Sequence, residues 1–179
     1  MFAIERYNKA QSVEDAVKLL VADPEAKLIA GGTDVLIRLH EGSQDFRCLV
    51  DINGLAALKA ITAEADGTVR IGCLATFSEI MDSDVVNQRV PVIAEAAATV
   101  GGPQLRNVAT MGGNICAGVP CADSAGALLV LEADLEIQGV DGKRVVPVKG
   151  FHLGPSLVAL KQGDVLVVFR IRPENYKGF

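Results

Sequence analysis

The chain has no tryptophan, two tyrosines and six phenylalanines, which leaves little aromatic surface for stacking nucleic-acid bases. Its 17 Lys and Arg never gather into a block, and 22 Asp and Glu outweigh them for a net charge of −5. Nucleic acid is therefore not an expected partner. No apolar run has the length needed to cross a bilayer, and the opening Met1-Phe2-Ala3-Ile4-Glu5-Arg6 lacks the order of a signal peptide, so a cytoplasmic chain with no membrane partner is expected. The four cysteines, Cys48, Cys73, Cys116 and Cys121, form no Cys-x-x-Cys, and His40 and His152 stand far apart. That pattern argues against a metal site. Cys48 and Cys73 read as small core residues, and His152 as a packing residue of a loop.

Two nucleotide fingerprints are missing as well. No Gly-Lys-Ser/Thr follows a glycine loop, which excludes a Walker site, and G-x-G-x-x-G does not occur, which excludes a Rossmann turn. Neither a nucleophile with a neighbouring base nor a pair of carboxylates in a glycine-bounded cleft is present. Redox chemistry would have to come from a cofactor.

What is present falls into two patterns. Ser12 caps a helix carrying Val13, Ala16, Val17 and Leu20, which Asp23-Pro24 stops. Lys27-Leu28-Ile29-Ala30 reads as a buried strand, Val35 to Leu39 as a helix, and Cys48 to Ile52 as a second strand. Strand–turn–helix–strand predicts a small parallel α/β lobe over residues 1–57. From Leu58 onward two hairpins are expected, around Asp66-Gly67 and Asp141-Gly142. Helices are expected at Thr76 to Met81, from Pro91 and over residues 123–131, with a last strand at 164–171. These make a second, mixed lobe with an antiparallel sheet over residues 58–172. Residues 173–179 read as a connector to a C-terminal domain that the sequence does not contain.

The functional signal lies in two glycine-bearing stretches. Ala30-Gly31-Gly32-Thr33-Asp34 joins a strand to a helix, where backbone N–H groups are aimed at an anion. Its alternative role is a structural turn with Thr33 or Asp34 as helix cap. The second stretch runs from Gly101 to Ile115 and reads as turn-rich; Gly112 and Gly113 lack a Cβ, so their N–H groups are expected to approach a ligand directly. Thr110 and Asn114 flank them with polar groups. Arg106 offers a cation for phosphate or for an ion pair, and Asp123 an acceptor for a ribityl or ribose hydroxyl or a helix cap. One such cradle on each lobe suits a dinucleotide diphosphate lying between the lobes.

These residues also carry a resemblance. Ala30-Gly31-Gly32-Thr33-Asp34, Gly102-Pro103-Gln104-Leu105-Arg106-Asn107-Val108-Ala109-Thr110, Thr110-Met111-Gly112-Gly113-Asn114-Ile115, Pro120 with Asp123, and Gly150-Phe151-His152-Leu153-Gly154-Pro155 resemble the FAD-binding medium subunits of molybdenum hydroxylases. The likeness is to bacterial xanthine dehydrogenase FAD subunits first and to carbon monoxide dehydrogenase medium subunits second. It implies an α+β, two-lobed FAD-binding domain of the vanillyl-alcohol-oxidase (PCMH) type. It implies FAD contacts from Leu28, Ile29, Ala30, Gly31, Gly32, Thr33, Asp34 and Val35, and from Thr110, Met111, Gly112, Gly113 and Asn114. Asp123 matches the acidic contact, and Val100 and Leu166 match apolar positions beside the cofactor. No catalytic or metal-binding residue is implied on this chain. The molybdenum–pterin would sit on a large partner subunit and two two-iron two-sulfur clusters on a small one, with NAD accepting the electrons from FAD. A non-catalytic assembly module of such a complex and a stand-alone flavoprotein are the alternatives.

Overall fold

Strands separated by helices early in the chain build a three-stranded parallel sheet. Its elements are β1 (Arg6–Lys9), α1 (Val13–Ala22), β2 (Lys27–Ile29), α2 (Val35–His40) and β3 (Cys48–Asp51), and its order is β1-β3-β2. Parallel neighbours need a crossover, and the helices supply it. The computed structural model describes residues 4–177; residues 1–3 of the expected first lobe, and Gly178 and Phe179 of the expected connector, lie outside it. Helix α1 begins where the Ser12 hydroxyl accepts the Asp15 amide at 3.1 Å, and Asp15 reaches back to the Gln11 amide at 2.9 Å. Ala16, Val17 and Leu20 form its buried face. Strand β1 has no apolar sequence signal, because all four of its residues are exposed; backbone pairing to β3, the Tyr7 hydroxyl on Asp51 and Arg6 on Asp23 and Glu25 hold it.

The rest of the chain supplies β4 (Ile61–Ala63), β5 (Val69–Gly72), α3 (Phe77–Met81), α4 (Asp84–Arg89), α5 (Pro91–Thr99), α6 (Pro103–Arg106), α7 (Met111–Cys116) and α8 (Asp123–Val130). It ends with β6 (Asp134–Gly139), β7 (Gly142–Pro147), the small pair β8 (His152–Gly154) and β9 (Leu157–Val158), and β10 (Val165–Ile171). The main sheet is antiparallel, in the order β4-β5-β10-β6-β7. Its middle strand, β10, is thus the last to be made, so long-range pairing completes the sheet. The expected helix α3 opens with a capping box: Thr76 caps the Glu79 amide at 3.2 Å while the Glu79 carboxylate takes the Thr76 amide at 2.8 Å.

The stretch from Gly101 to Ile115 differs from its turn-rich expectation, since it holds two short helices. Gly102 with Pro103 in the first turn starts α6, and Thr110 caps α7. Helices of four and six residues are too short for apolar periodicity to reveal them. Among the described residues no helix is long and apolar enough to cross a membrane.

One apolar cluster joins both sheets, with α1 packed against β3, β6 and β10. Phe77, Phe151 and Phe169 are fully buried in it, each worth about 2–3 kcal/mol relative to exposure. Just before β10, burial disfavours the charged form of Asp164. Two hydrogen bonds from Arg144, one of 2.7 Å, and one from the Lys161 amide outweigh that and hold its carboxyl below the ordinary 3.8. A carboxyl lowered by folding contributes stability above its unfolded pKa and loses it as pH falls through the folded value. Acid unfolding of the wild type should therefore steepen below pH 3.8, and Asp164→Asn should be less stable at neutral pH with a flatter acid limb. Denaturant midpoints across pH 2–7 check this; parallel limbs for the two proteins would contradict it.

Candidate functional site

A cavity of about 560 Å³ is walled by residues of both sheets. Gly31, Gly32, Thr33, Asp34 and Val35 line one side, and Thr110, Gly112, Gly113 and Asn114 another, so the two glycine stretches share one crevice. They also touch. A Cβ on Gly31 would lie 1.9 Å from the Val108 carbonyl oxygen, so the first turn is pressed against the backbone of the second stretch with no room for a side chain. Gly32 turns the chain at φ +73°, a left-handed conformation that glycine adopts without a Cβ clash.

The two stretches differ in their donors. The N–H groups of residues 31–35 donate to no acceptor among the described residues, so a run of open amides belongs to residues that line the cavity. At α7 the donors are used internally. Met111 N–H bonds to Ala75 O at 3.0 Å, Gly112 N–H to Cys73 O at 2.8 Å, Gly113 N–H to Thr110 Oγ1 at 3.1 Å and Asn114 N–H to Thr110 O at 3.0 Å. The expectation that Gly112 and Gly113 expose amides to a ligand is replaced by a packing role for Gly112. Its missing Cβ would stand 2.5 Å from Cys73 O. What α7 offers instead is Asn114. Ser124, 1% exposed, donates its hydroxyl to Asn114 Oδ1 at 2.7 Å, an arrangement that leaves the Nδ2 hydrogens as the donors.

The family described as "FAD binding domain in molybdopterin dehydrogenase" matches residues 2–173. The chain belongs to this family. The xanthine dehydrogenase FAD-binding subunit of Escherichia coli O157:H7 is 45% identical over 174 residues, covering 97% of this chain and 60% of that protein. The carbon monoxide dehydrogenase medium chain of Hydrogenophaga pseudoflava is 36% identical over 166 residues, covering 92% of this chain and 58% of that one. A solved structure of carbon monoxide dehydrogenase from Hydrogenophaga pseudoflava, lacking the Mo-pyranopterin moiety, superposes with a TM-score of 0.90 at 35% identity and covers 94% of this chain and 59% of its own. The chain thus spans about 60% of the length of these curated relatives.

The residues of this FAD-binding domain fit an FAD diphosphate: open amides at residues 31–35, a turn no side chain can fill, and a spare amide donor on Asn114. Leu28, Ala30, Val100 and Leu166 join the lining; Ile29, Met111 and Asp123 do not. Ile29 pairs with Asp51 in the sheet, Met111 is wholly buried, and Asp123 begins α8 with its Oδ1 3.3 Å from the Thr99 hydroxyl. Among the described residues Arg106 neither lines the cavity nor forms an ion pair. Its Nη1 bonds to the carbonyls of Ala98, Val100 and Gly101 at 3.2, 2.9 and 2.6 Å, closing the end of α5. His152 Nε2 lies 2.9 Å from Ile115 O at the far end of α7, in keeping with a packing role.

The sequence reading missed Arg38, Phe46, Leu74, Phe77, Val158 and Lys161, all of which line the cavity. Leu74 and Phe77 read as ordinary core positions, and 158–161 lie in a segment without periodicity. Arg38 alone had a usable signal, standing four residues after Asp34 on the predicted helix. Cys73 and Cys116 also line the cavity, and burial raises the Cys116 thiol to about 12 and the Cys73 thiol further. Both are protonated at neutral pH.

Proposed function

We propose that this chain carries FAD as the electron-transfer subunit of a molybdenum hydroxylase of the xanthine dehydrogenase type. The observation that supports it is the run of open amides at residues 31–35 inside a cavity whose other wall is α7. These amides and Asn114 hold the diphosphate, and the apolar side chains of Leu28, Leu74, Phe77, Val100 and Leu166 shield the rings from water. The bound flavin supplies the step between single electrons and an electron pair. In the same reading, electrons come from a molybdenum-bearing large subunit through two two-iron two-sulfur clusters on a small subunit, NAD accepts them, and the complex works in the cytoplasm. In this reading the FAD-binding domain has lobes over residues 1–57 and 58–172.

The test is direct. The purified chain should show a flavin absorption spectrum, or acquire one when FAD is added, and riboflavin should bind far more weakly because it has no phosphate. A folded chain that takes up no FAD, yet co-purifies with the two other subunits, would replace this reading with that of an assembly module.

A further inference from the structure

Asp34 occupies the first turn of a helical segment that opens at Gly32, whose carbonyl accepts the Leu36 amide at 2.9 Å. A carboxylate in that position ordinarily folds back over the open amides, as acceptor and as a favourable charge. Asp34 does not; it makes no capping bond. Its Oδ2 pairs with Arg38 Nε at 3.1 Å, one turn further on. Arg38 is itself held over Phe46, with the guanidinium carbon 5.7 Å from the ring centroid. All three residues line the cavity.

An ion pair whose side chains are 48% and 32% exposed adds little to folding stability. Its effect on an incoming anion is larger. A free Asp34 carboxylate competes with a diphosphate twice, by accepting the same amides and by repelling like charge. Pairing with Arg38 removes both forms of competition.

We propose that Arg38 is a positioning residue for phosphate recognition. Held over Phe46, it draws the Asp34 carboxylate off residues 31–35 and neutralises it, so that those amides are left for the diphosphate of a dinucleotide. The inference rests on the reading of this cavity as the FAD site. It identifies the recognised chemistry as the diphosphate, so FAD and ADP should respond alike.

Calorimetric titration of the full chain with FAD and with ADP tests it, using the wild type, Arg38→Met, Asp34→Ala and the double variant. Arg38→Met should weaken both ligands by about tenfold, because it frees a charge and an acceptor at the site. The double variant should recover to within about threefold of Asp34→Ala, since no carboxylate remains to be drawn away. Wild-type affinity in Arg38→Met would overturn the proposal. So would a double variant as weak as Arg38→Met, which would mean that Arg38 grips the phosphate itself. Thermal unfolding of each unliganded variant separates these outcomes from misfolding, and Arg38→Gln is the substitute if the methionine variant does not fold. A wild-type chain that binds neither ligand would instead remove the FAD reading on which the inference stands.

Discussion

Gly31→Ala is expected to abolish high-affinity FAD binding. The new Cβ would sit 1.9 Å from Val108 O and 2.8 Å from Val108 C, both backbone atoms. No rotamer relieves such a contact, so one of the two stretches has to move. Forced overpacking of this kind costs about 3 kcal/mol. If the displacement falls on the binding turn, affinity drops about a hundredfold. Gly32→Ala provides the internal comparison. Its Cβ meets the flexible side chains of Leu36 and Ile29 at 3.2 and 3.4 Å, and the main penalty is the positive φ, about 1–2 kcal/mol. The order of damage, Gly31 well above Gly32, is the prediction, read by FAD titration together with thermal unfolding. Equal effects would mean that contact with Val108 does not govern the turn.

Asn114→Asp is expected to cost about a hundredfold in FAD affinity and little in stability. Ser124 donates to Asn114 Oδ1, and an aspartate keeps that acceptor, so the α7–α8 contact survives. What changes is the other atom: a donor in the cavity wall becomes an anionic oxygen facing a diphosphate. Asn114→Ala removes the donor without adding charge and should cost about tenfold, while leaving the buried Ser124 hydroxyl without its acceptor and lowering stability by about 1–2 kcal/mol. The two substitutions thus invert the ranking between binding and unfolding. Titration and unfolding of the same samples read both. A charge-insensitive site, with Asp and Ala equally weakened, would place the phosphates away from Asn114.

The fold was legible where side chains repeat with a period and cap in sequence. Ser12, Thr76 and Pro91 marked helix starts, the Asp-Gly pairs marked both hairpins, and the strand–helix–strand order over residues 27–51 marked the parallel sheet. Strand β1 was hidden because an exposed edge strand needs no apolar alternation, and α6 and α7 because short capped turns carry no periodicity. At the site, the two glycine pairs line one crevice, yet their physics differs. The amides after Gly31 have no partners among the described residues, whereas those around Gly112 are consumed by Thr110, Cys73 and Ala75. Which amide is already bonded depends on tertiary contacts with residues as distant in sequence as Cys73 is from Gly112, and local composition does not encode that. Arg106 shows the same limit: a lone arginine beside a glycine loop reads as a cation for phosphate or for an ion pair, while in space it closes a helix end.

The most direct measurement is a two-dimensional amide spectrum of the nitrogen-15-labelled chain before and after adding FAD or ADP. The account predicts downfield shifts of the Gly31, Gly32, Thr33 and Asp34 amide protons as they acquire phosphate acceptors, with a new partner for the Asn114 side-chain amide. Met111 and Gly112, already bonded within the fold, should keep their amide shifts and their exchange protection. Saturable binding that leaves residues 31–34 unmoved, or that perturbs Met111 and Gly112 more strongly, would contradict it.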